Sequence, residues 1–123
     1  MTNFEMVKEF METFGQTVRT KPTLLDRETT DLRLDLIFEE AGEVHAAVDE
    51  NDIQNIAKEL TDLLVVTYGA GAAYGIDLDA CFKEVHRSNM SKLGEDGLPI
   101  YRSDGKVLKG PNYSPANLKE IVK

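Results

Sequence analysis

The chain has 123 residues, of which 41% are hydrophobic and 29% are charged, a composition typical of one folded domain. Its net charge of −8 argues against binding to nucleic acid or to an anionic membrane, and its single cysteine excludes an internal disulfide. The acidic N-terminus is unlike a signal peptide, and no apolar run approaches the roughly 20 residues that span a bilayer, so we expect a cytoplasmic protein.

Apolar residues at helical spacing, together with capping residues, predict four helices in chain order. The first helix has apolar residues from Phe4 to Val18, and the second is predicted to run from near Thr29 or Thr30 to about Asp49. The third is capped by Asn51 or Asp52 and ends near Tyr74, and the fourth runs from Leu78 to about Leu93. Thr2 and Glu5 have the spacing of a capping box, and Gly75 is suited to end the third helix.

The texture changes after Leu93, where glycine, proline and Asp-Gly turns become frequent. The stretch "PIYRSDGKVLK" predicts a short hairpin with Gly105 in its turn, and Ser114 and Pro115 are suited to open a last short helix. We therefore predict an all-α fold, a four- to five-helix bundle of antiparallel helical hairpins over residues 1–93. Residues 94–123 are predicted to form a C-terminal hairpin and loop extension that packs on this domain or on a partner subunit.

Carboxylates lie beside the main apolar stripe of the second and third helices. These predicted apolar stripes are Leu34, Ile37, Ala41, Val44 and Val48 on the second helix, and Ile53, Ile56, Leu60, Leu63, Thr67, Ala70 and Tyr74 on the third. The neighbouring stripes carry Glu40 and Glu43 on one helix and Glu59 and Asp62 on the other. Because helices joined by a short turn usually pack antiparallel, the two pairs are expected to face each other.

Four facing carboxylates need a cation. Two charges ~4 Å apart repel by about 4 kcal/mol at an effective dielectric of 20, so partly buried acids require a divalent ion or shifted pKa values. Mg²⁺ prefers oxygen ligands and shares its sites with phosphates, which predicts a magnesium site, with Mn²⁺ as a substitute. The alternative is a solvated acidic surface, because a single "ExxE" is common on exposed helices.

The pattern Glu39-Glu40-x-x-Glu43, then Glu59-x-x-Asp62 after fifteen residues, resembles the EExxE…ExxD signature of MazG-like nucleoside triphosphate pyrophosphohydrolases. The resemblance covers roughly residues 30–93. It implies a homodimer or tetramer of helical hairpins that cleaves an NTP to the monophosphate and pyrophosphate with Mg²⁺. It also implies that Glu40, Glu43, Glu59 and Asp62 hold metal, and that Glu39 binds a further ion or orients the attacking water.

Basic residues concentrate at the C-terminal end, where residues 83–123 carry a charge of +3 against −11 for residues 1–82. Asn89 and Lys92 occupy positions where the fourth helix's pattern calls for apolar residues, so we predict that they bind phosphates, with Lys92 also stabilising the leaving pyrophosphate. The alternative is a helix end that emerges into solvent, with the Lys92 stem lying along apolar surface. Arg87 is a further phosphate candidate. Lys109 and Tyr113, in "KGPNYSP", are candidates for closing over the nucleotide, or alternatively for sealing a subunit contact.

The sequence therefore predicts a Mg²⁺-dependent nucleotide pyrophosphohydrolase, an enzyme with no nucleic-acid or membrane partner. One alternative is a phosphoribosyl-ATP pyrophosphohydrolase, which has a related fold and the same kind of metal cluster. Another is a non-catalytic helical oligomerisation module whose acids bind metal for stability alone. Base and sugar preference do not follow from the sequence.

Overall fold

A computed structural model describes residues 1–123 and is all-α, as predicted. It contains four helices, α1 (Asn3–Thr13), α2 (Arg27–Asp49), α3 (Ile53–Tyr74) and α4 (Leu78–Met90). The chain divides into two compact units, Met1–Leu78 and Asp79–Lys123. The predicted domain boundary after residue 93 stays a prediction. None of the four helices combines the length and the apolar character that a membrane span requires.

Side-chain caps set where the first three helices begin. The Thr2 hydroxyl accepts a hydrogen bond from the Glu5 amide at 3.1 Å, as the capping-box spacing predicted. α2 begins at Arg27, earlier than predicted, because the Asp26 carboxylate accepts a hydrogen bond from the Thr29 amide at 3.0 Å and so caps the helix. Asp52 caps α3 in the same way, at 3.2 Å.

α3 packs against both α1 and α2 within the first unit. Its last turns are built from small residues, and the apolar core of the unit consists of Phe4, Val7, Met11, Ala72 and Ala73. The chain between α1 and α2 crosses the end of α3, where the Arg19 amide donates to the Ala72 carbonyl at 3.0 Å. Gly75 ends α3 at φ +73°, and a Cβ there would lie 2.1 Å from the Lys21 carbonyl oxygen. Only glycine fits both conditions.

We predicted that the main apolar stripe of α2 forms its packing face, and for packing within the chain this prediction is wrong. Leu34 and Val48 are 46% and 50% exposed, whereas Arg33 and Ala47, on the stripe that also carries Glu40, are buried. On α3, too, buried residues lie on the neighbouring stripe instead of the predicted apolar one; they include Glu59, Gly69 and Ala73. One reason is steric: Gly69 on α3 leaves room for the Arg33 side chain of α2, since a Cβ at position 69 would lie 3.1 Å from the guanidinium. The carboxylates therefore belong to the interface between α2 and α3.

The second unit contains most of α4 and the C-terminal segment. The predicted hairpin is present as a single antiparallel bridge between Tyr101 and Val107, with Gly105 at φ +88° in its turn. The predicted last helix after Pro115 is absent; residues 119–121 form only a turn, since too few backbone hydrogen bonds follow to propagate a helix.

Candidate metal centre and nucleotide site

Three carboxylates from two antiparallel helices converge in the first unit. Glu40 comes from the middle of α2, and Glu59 and Asp62 come from successive turns of α3. One oxygen from each can be chosen so that all three lie within 4.8 Å of one another. Glu59 is buried, and the other two are partly buried. The convergence that the spacing predicted is therefore present for three of the four acids.

Lys58 supplies a positive charge to this cluster, hereafter the acidic cluster (Glu40, Glu59 and Asp62). Its Nζ lies 2.6 Å from Oδ2 of Asp62 and 3.6 Å from Oε1 of Glu59. The lysine side chain is 68% exposed, so its stem reaches in from solvent. The sequence reasoning did not single out this residue. Its position next to Glu59 and four residues before Asp62 on a helix is the spacing that predicts an ion pair, and it would have identified Lys58.

The pKa values of Glu40 and Lys58 are both raised by their surroundings. Partial burial, followed by repulsion from Asp62 and Glu59, raises the pKa of Glu40 above its ordinary value. The hydrogen bond and charge of Asp62 raise the pKa of Lys58. The negative carboxylates therefore favour the charged form of the Lys58 ammonium, whereas Glu40 loses its proton less readily than an ordinary glutamate does.

The donor set fits a hard divalent cation. All three groups offer carboxylate oxygens, the ligands that Mg²⁺ prefers. An octahedron with bonds of about 2.1 Å places its oxygens roughly 3 to 4 Å apart, so small side-chain rotations would bring these three onto one ion. Three protein ligands leave positions for water and for substrate phosphates, as is usual for magnesium. The Lys58 ammonium occupies the neighbourhood of the same oxygens and would have to give way.

The other two acids of the motif lie outside the acidic cluster. Glu43 is exposed one turn beyond Glu40 on α2, and its charge contributes to the raised pKa of Glu40. Glu39 is exposed on α2, next to Glu40 in the chain. Their assignment as a metal ligand and as the residue that orients water stays a prediction.

The remaining predicted site residues lie in the second unit, and the side chains of Arg87, Lys109 and Tyr113 have partners there. Arg87 pairs with Glu84 and donates to the Pro115 carbonyl at 3.2 Å. Lys109 lies over the ring of Tyr113, with its Nζ 4.8 Å from the ring centroid.

Asn89 is exposed, and its carbonyl accepts a hydrogen bond from the Lys92 amide near the end of α4. The Lys92 carbonyl in turn accepts from the Gly110 amide at 2.8 Å. Backbone bonds therefore fix the main chain around Lys92, while the roles of Asn89 and Lys92 toward phosphate stay predictions.

Comparison with known proteins identifies the family. Residues 7–89 match the family model of phosphoribosyl-ATP pyrophosphohydrolase. The chain is 37% identical over 126 residues to an uncharacterized protein, L479, of Acanthamoeba polyphaga mimivirus. That alignment covers 98% of this chain and 48% of the viral protein, so the chain spans about half the length of this relative.

A solved structure from Exiguobacterium sp. 255-15, provisionally named an NTP pyrophosphohydrolase, is 25% identical. The match covers 94% of this chain and 89% of that one, with a TM-score of 0.48. The family match shows that the chain belongs to the phosphoribosyl-ATP pyrophosphohydrolase family, in the MazG-like all-α superfamily. The family that the acidic motif predicted is therefore confirmed.

Proposed function

We propose that this protein is a Mg²⁺-dependent hydrolase that cleaves a nucleoside or deoxynucleoside triphosphate to the monophosphate and pyrophosphate. The observation that carries the proposal is the convergence of Glu40, Glu59 and Asp62 within 4.8 Å at the interface of two helices. Charge repulsion and partial burial both oppose such a convergence, and Lys58 offsets them only in part, which favours a cation-binding role over an ordinary packing contact.

The residues of the chain divide the work in the proposed reaction. Glu40, Glu59 and Asp62 would hold Mg²⁺, with Glu43 as a further ligand, and Mn²⁺ would substitute. When bound, the ion would lower the pKa of a water molecule and neutralise charge on the phosphates. Glu39 would accept a hydrogen bond from the attacking water and so orient it.

The phosphate-binding roles rest on the sequence. Asn89, Lys92 and Arg87 would donate hydrogen bonds to phosphate oxygens, with Lys92 offsetting the charge that develops on the leaving pyrophosphate. Lys109 and Tyr113 are proposed to close over the nucleotide, where the ring would stack on the base or sugar. The Lys109–Tyr113 contact shows that the two side chains already associate.

A second substrate deserves the same test, because the family that matches residues 7–89 is described by its action on phosphoribosyl-ATP. That compound carries the same phosphoanhydride, so the same acidic cluster would serve. The two candidates differ only in what lies beyond the triphosphate, and a substrate panel separates them.

The test measures pyrophosphate release from all natural ribo- and deoxynucleoside triphosphates and from phosphoribosyl-ATP, with Mg²⁺, Mn²⁺ or EDTA. We expect pyrophosphate from at least one of them and none in EDTA. Glu59→Gln should abolish release, whereas Glu9→Gln, which removes an exposed carboxylate on α1, should leave it unchanged. Release of single phosphate, or full activity of Glu59→Gln, would contradict the proposed reaction. Metal binding without turnover of any compound would favour the non-catalytic helical module.

We further propose that the chain works as a homodimer or tetramer in the cytoplasm. Large apolar side chains are exposed on α2 and α3, where a soluble monomer rarely leaves a continuous apolar surface. They include Leu34, Phe38, Val48, Ile53, Leu60 and Leu64. Light scattering should give a mass of two or four chains, and Phe38→Asp should lower it; a wild-type monomer would contradict the proposal.

A further inference from the structure

A cavity of about 420 Å³ lies in the first unit, beside the interface of α2 and α3. Its walls combine apolar and polar side chains, and it is large enough for a nucleobase. Among the residues that line it are Gln16, Thr29, Leu32, Arg33, Leu36 and Ala73. This cavity, hereafter the Arg33 cavity, has no role in the proposed chemistry of the acidic cluster.

Arg33 is the unusual group in this wall. The residue is only 8% exposed, and its Nε is buried without a hydrogen-bond acceptor. Burial lowers the pKa of its guanidinium, and no carboxylate forms an ion pair with it. A largely buried guanidinium with no ion-pair partner and an unsatisfied Nε is costly for the fold, so an acceptor supplied from outside the chain would lower that cost. Arg19, in the same wall, already donates to the Ala73 carbonyl at 2.8 Å.

The position of Arg33 relative to the acidic cluster matches the length of a nucleotide. Arg33 precedes Glu40 by seven residues on one stripe of α2, which is about 10 Å along the helix axis. On the antiparallel α3, Gly69 faces Arg33, since a Cβ at Gly69 would lie 3.1 Å from the guanidinium, and Gly69 follows Asp62 by the same seven residues. Along both helices the backbone at Arg33 or Gly69 is therefore about 10 Å from that of an acid of the cluster, comparable to the distance between the phosphate of a nucleotide and the far edge of its base.

We propose that the Arg33 cavity binds the base of the substrate and that Arg33 makes it selective for 6-oxopurines, guanine and hypoxanthine. The inference rests on the proposed function. A guanidinium carries donors only, and guanine presents two adjacent acceptors, O6 and N7, which arginine contacts in a bidentate manner. Adenine presents a donor, its 6-amino group, beside N7, so one N–H would face another. The expected preference for guanine over adenine is roughly 5- to 100-fold.

The first experiment uses the wild-type chain and measures binding, not turnover. Nucleoside monophosphates are titrated calorimetrically in Mg²⁺: GMP, IMP, AMP and 7-deaza-GMP, which lacks the N7 acceptor. We expect GMP and IMP to bind alike, and AMP and 7-deaza-GMP to bind more weakly by the factor above. Equal binding of AMP and GMP, or stronger binding of pyrimidine monophosphates, would overturn the proposal. This panel decides the question even where a variant fails to fold.

Variants then locate the selectivity. Arg33→Gln replaces a donor-only group with one donor and one acceptor, the pattern that suits adenine, so the ratio of GMP to AMP affinity should fall to one or below. Gly69→Ala keeps the guanidinium but crowds it, and should weaken the preference; Gly42→Ala, where a Cβ meets nothing within 4 Å, should not. An unchanged ratio in a folded Arg33→Gln protein would overturn the proposal.

The outcome is separable from that of the proposed reaction. If triphosphates are hydrolysed but base preference is independent of Arg33, the Arg33 cavity is not the base site and the reaction stands. If monophosphates bind with the expected preference but no pyrophosphate is released from any triphosphate, the base site stands and the reaction is wrong.

Discussion

Replacing Glu59 with glutamine should raise the stability of the metal-free protein while removing its response to magnesium. Glu59 lies within 4.8 Å of Glu40 and Asp62, and two full charges at that distance repel by about 3.5 kcal/mol at an effective dielectric of 20. Solvent at Asp62, which is 35% exposed, and the attraction of Lys58 reduce the net gain to about 1–2 kcal/mol. In Mg²⁺ at a hundred times its dissociation constant the wild type gains ~2.7 kcal/mol, which the variant should lose.

The assay is urea unfolding followed by circular dichroism, in EDTA and in Mg²⁺, for wild type, Glu59→Gln and the control Glu9→Gln. Glutamine keeps the volume of glutamate, so the comparison isolates the charge. The variant should be the more stable protein in EDTA and the less stable one in Mg²⁺, and Glu9→Gln should follow wild type in both. A Glu59→Gln protein that is destabilised in EDTA, and that gains as much from Mg²⁺ as wild type does, would refute the convergence.

Three further predictions concern Gly75, Glu40 and Lys58, all in the first unit. Gly75→Ala should lower the free energy of unfolding in urea by at least about 2 kcal/mol more than Gly15→Ala does. Both glycines have positive φ, but only a Cβ at position 75 meets the Lys21 carbonyl, so equal losses of stability would exclude that clash. In EDTA the protein should become more stable as the pH falls through the raised pKa of Glu40 toward 4.5, since there the native state binds the proton more tightly than the unfolded chain; Glu40→Gln should flatten this trend in a pH series of melts. Lys58→Gln should increase the affinity for Mg²⁺ several-fold in calorimetry, because the ammonium no longer competes for the carboxylates, and unchanged affinity would show that it does not.

Local chemistry made the helices and the acidic motif predictable from the sequence. Each cap joins residues three apart, so the cap at Thr2 followed from spacing and the cap at Asp52 was one of two candidates, whereas the Asp26 cap of α2 has the same spacing and was missed. The facing of Glu40 with Glu59 and Asp62 follows from helical period and a short turn, which are also local properties.

The parts that the sequence did not predict depend on contacts between distant segments. The helical period shows that α2 has an apolar stripe but not which stripe meets α3, and the fit of the Arg33 side chain against Gly69 is a contact between distant residues that the period does not describe. The burial of Arg33 requires the same close approach. Its place beside a cavity depends on the loop after α1, which no periodic pattern describes.

Lys58 gives the protein a counterion of its own. Many small metalloproteins stay unfolded until their ion arrives, because the ligands repel one another without it. Here a largely exposed ammonium already pairs with two of the acids, so part of their mutual repulsion is offset without a metal ion. Under the proposed function, a metal ion would exchange with the Lys58 ammonium at these carboxylates and would not be needed to hold the acids together in the metal-free protein.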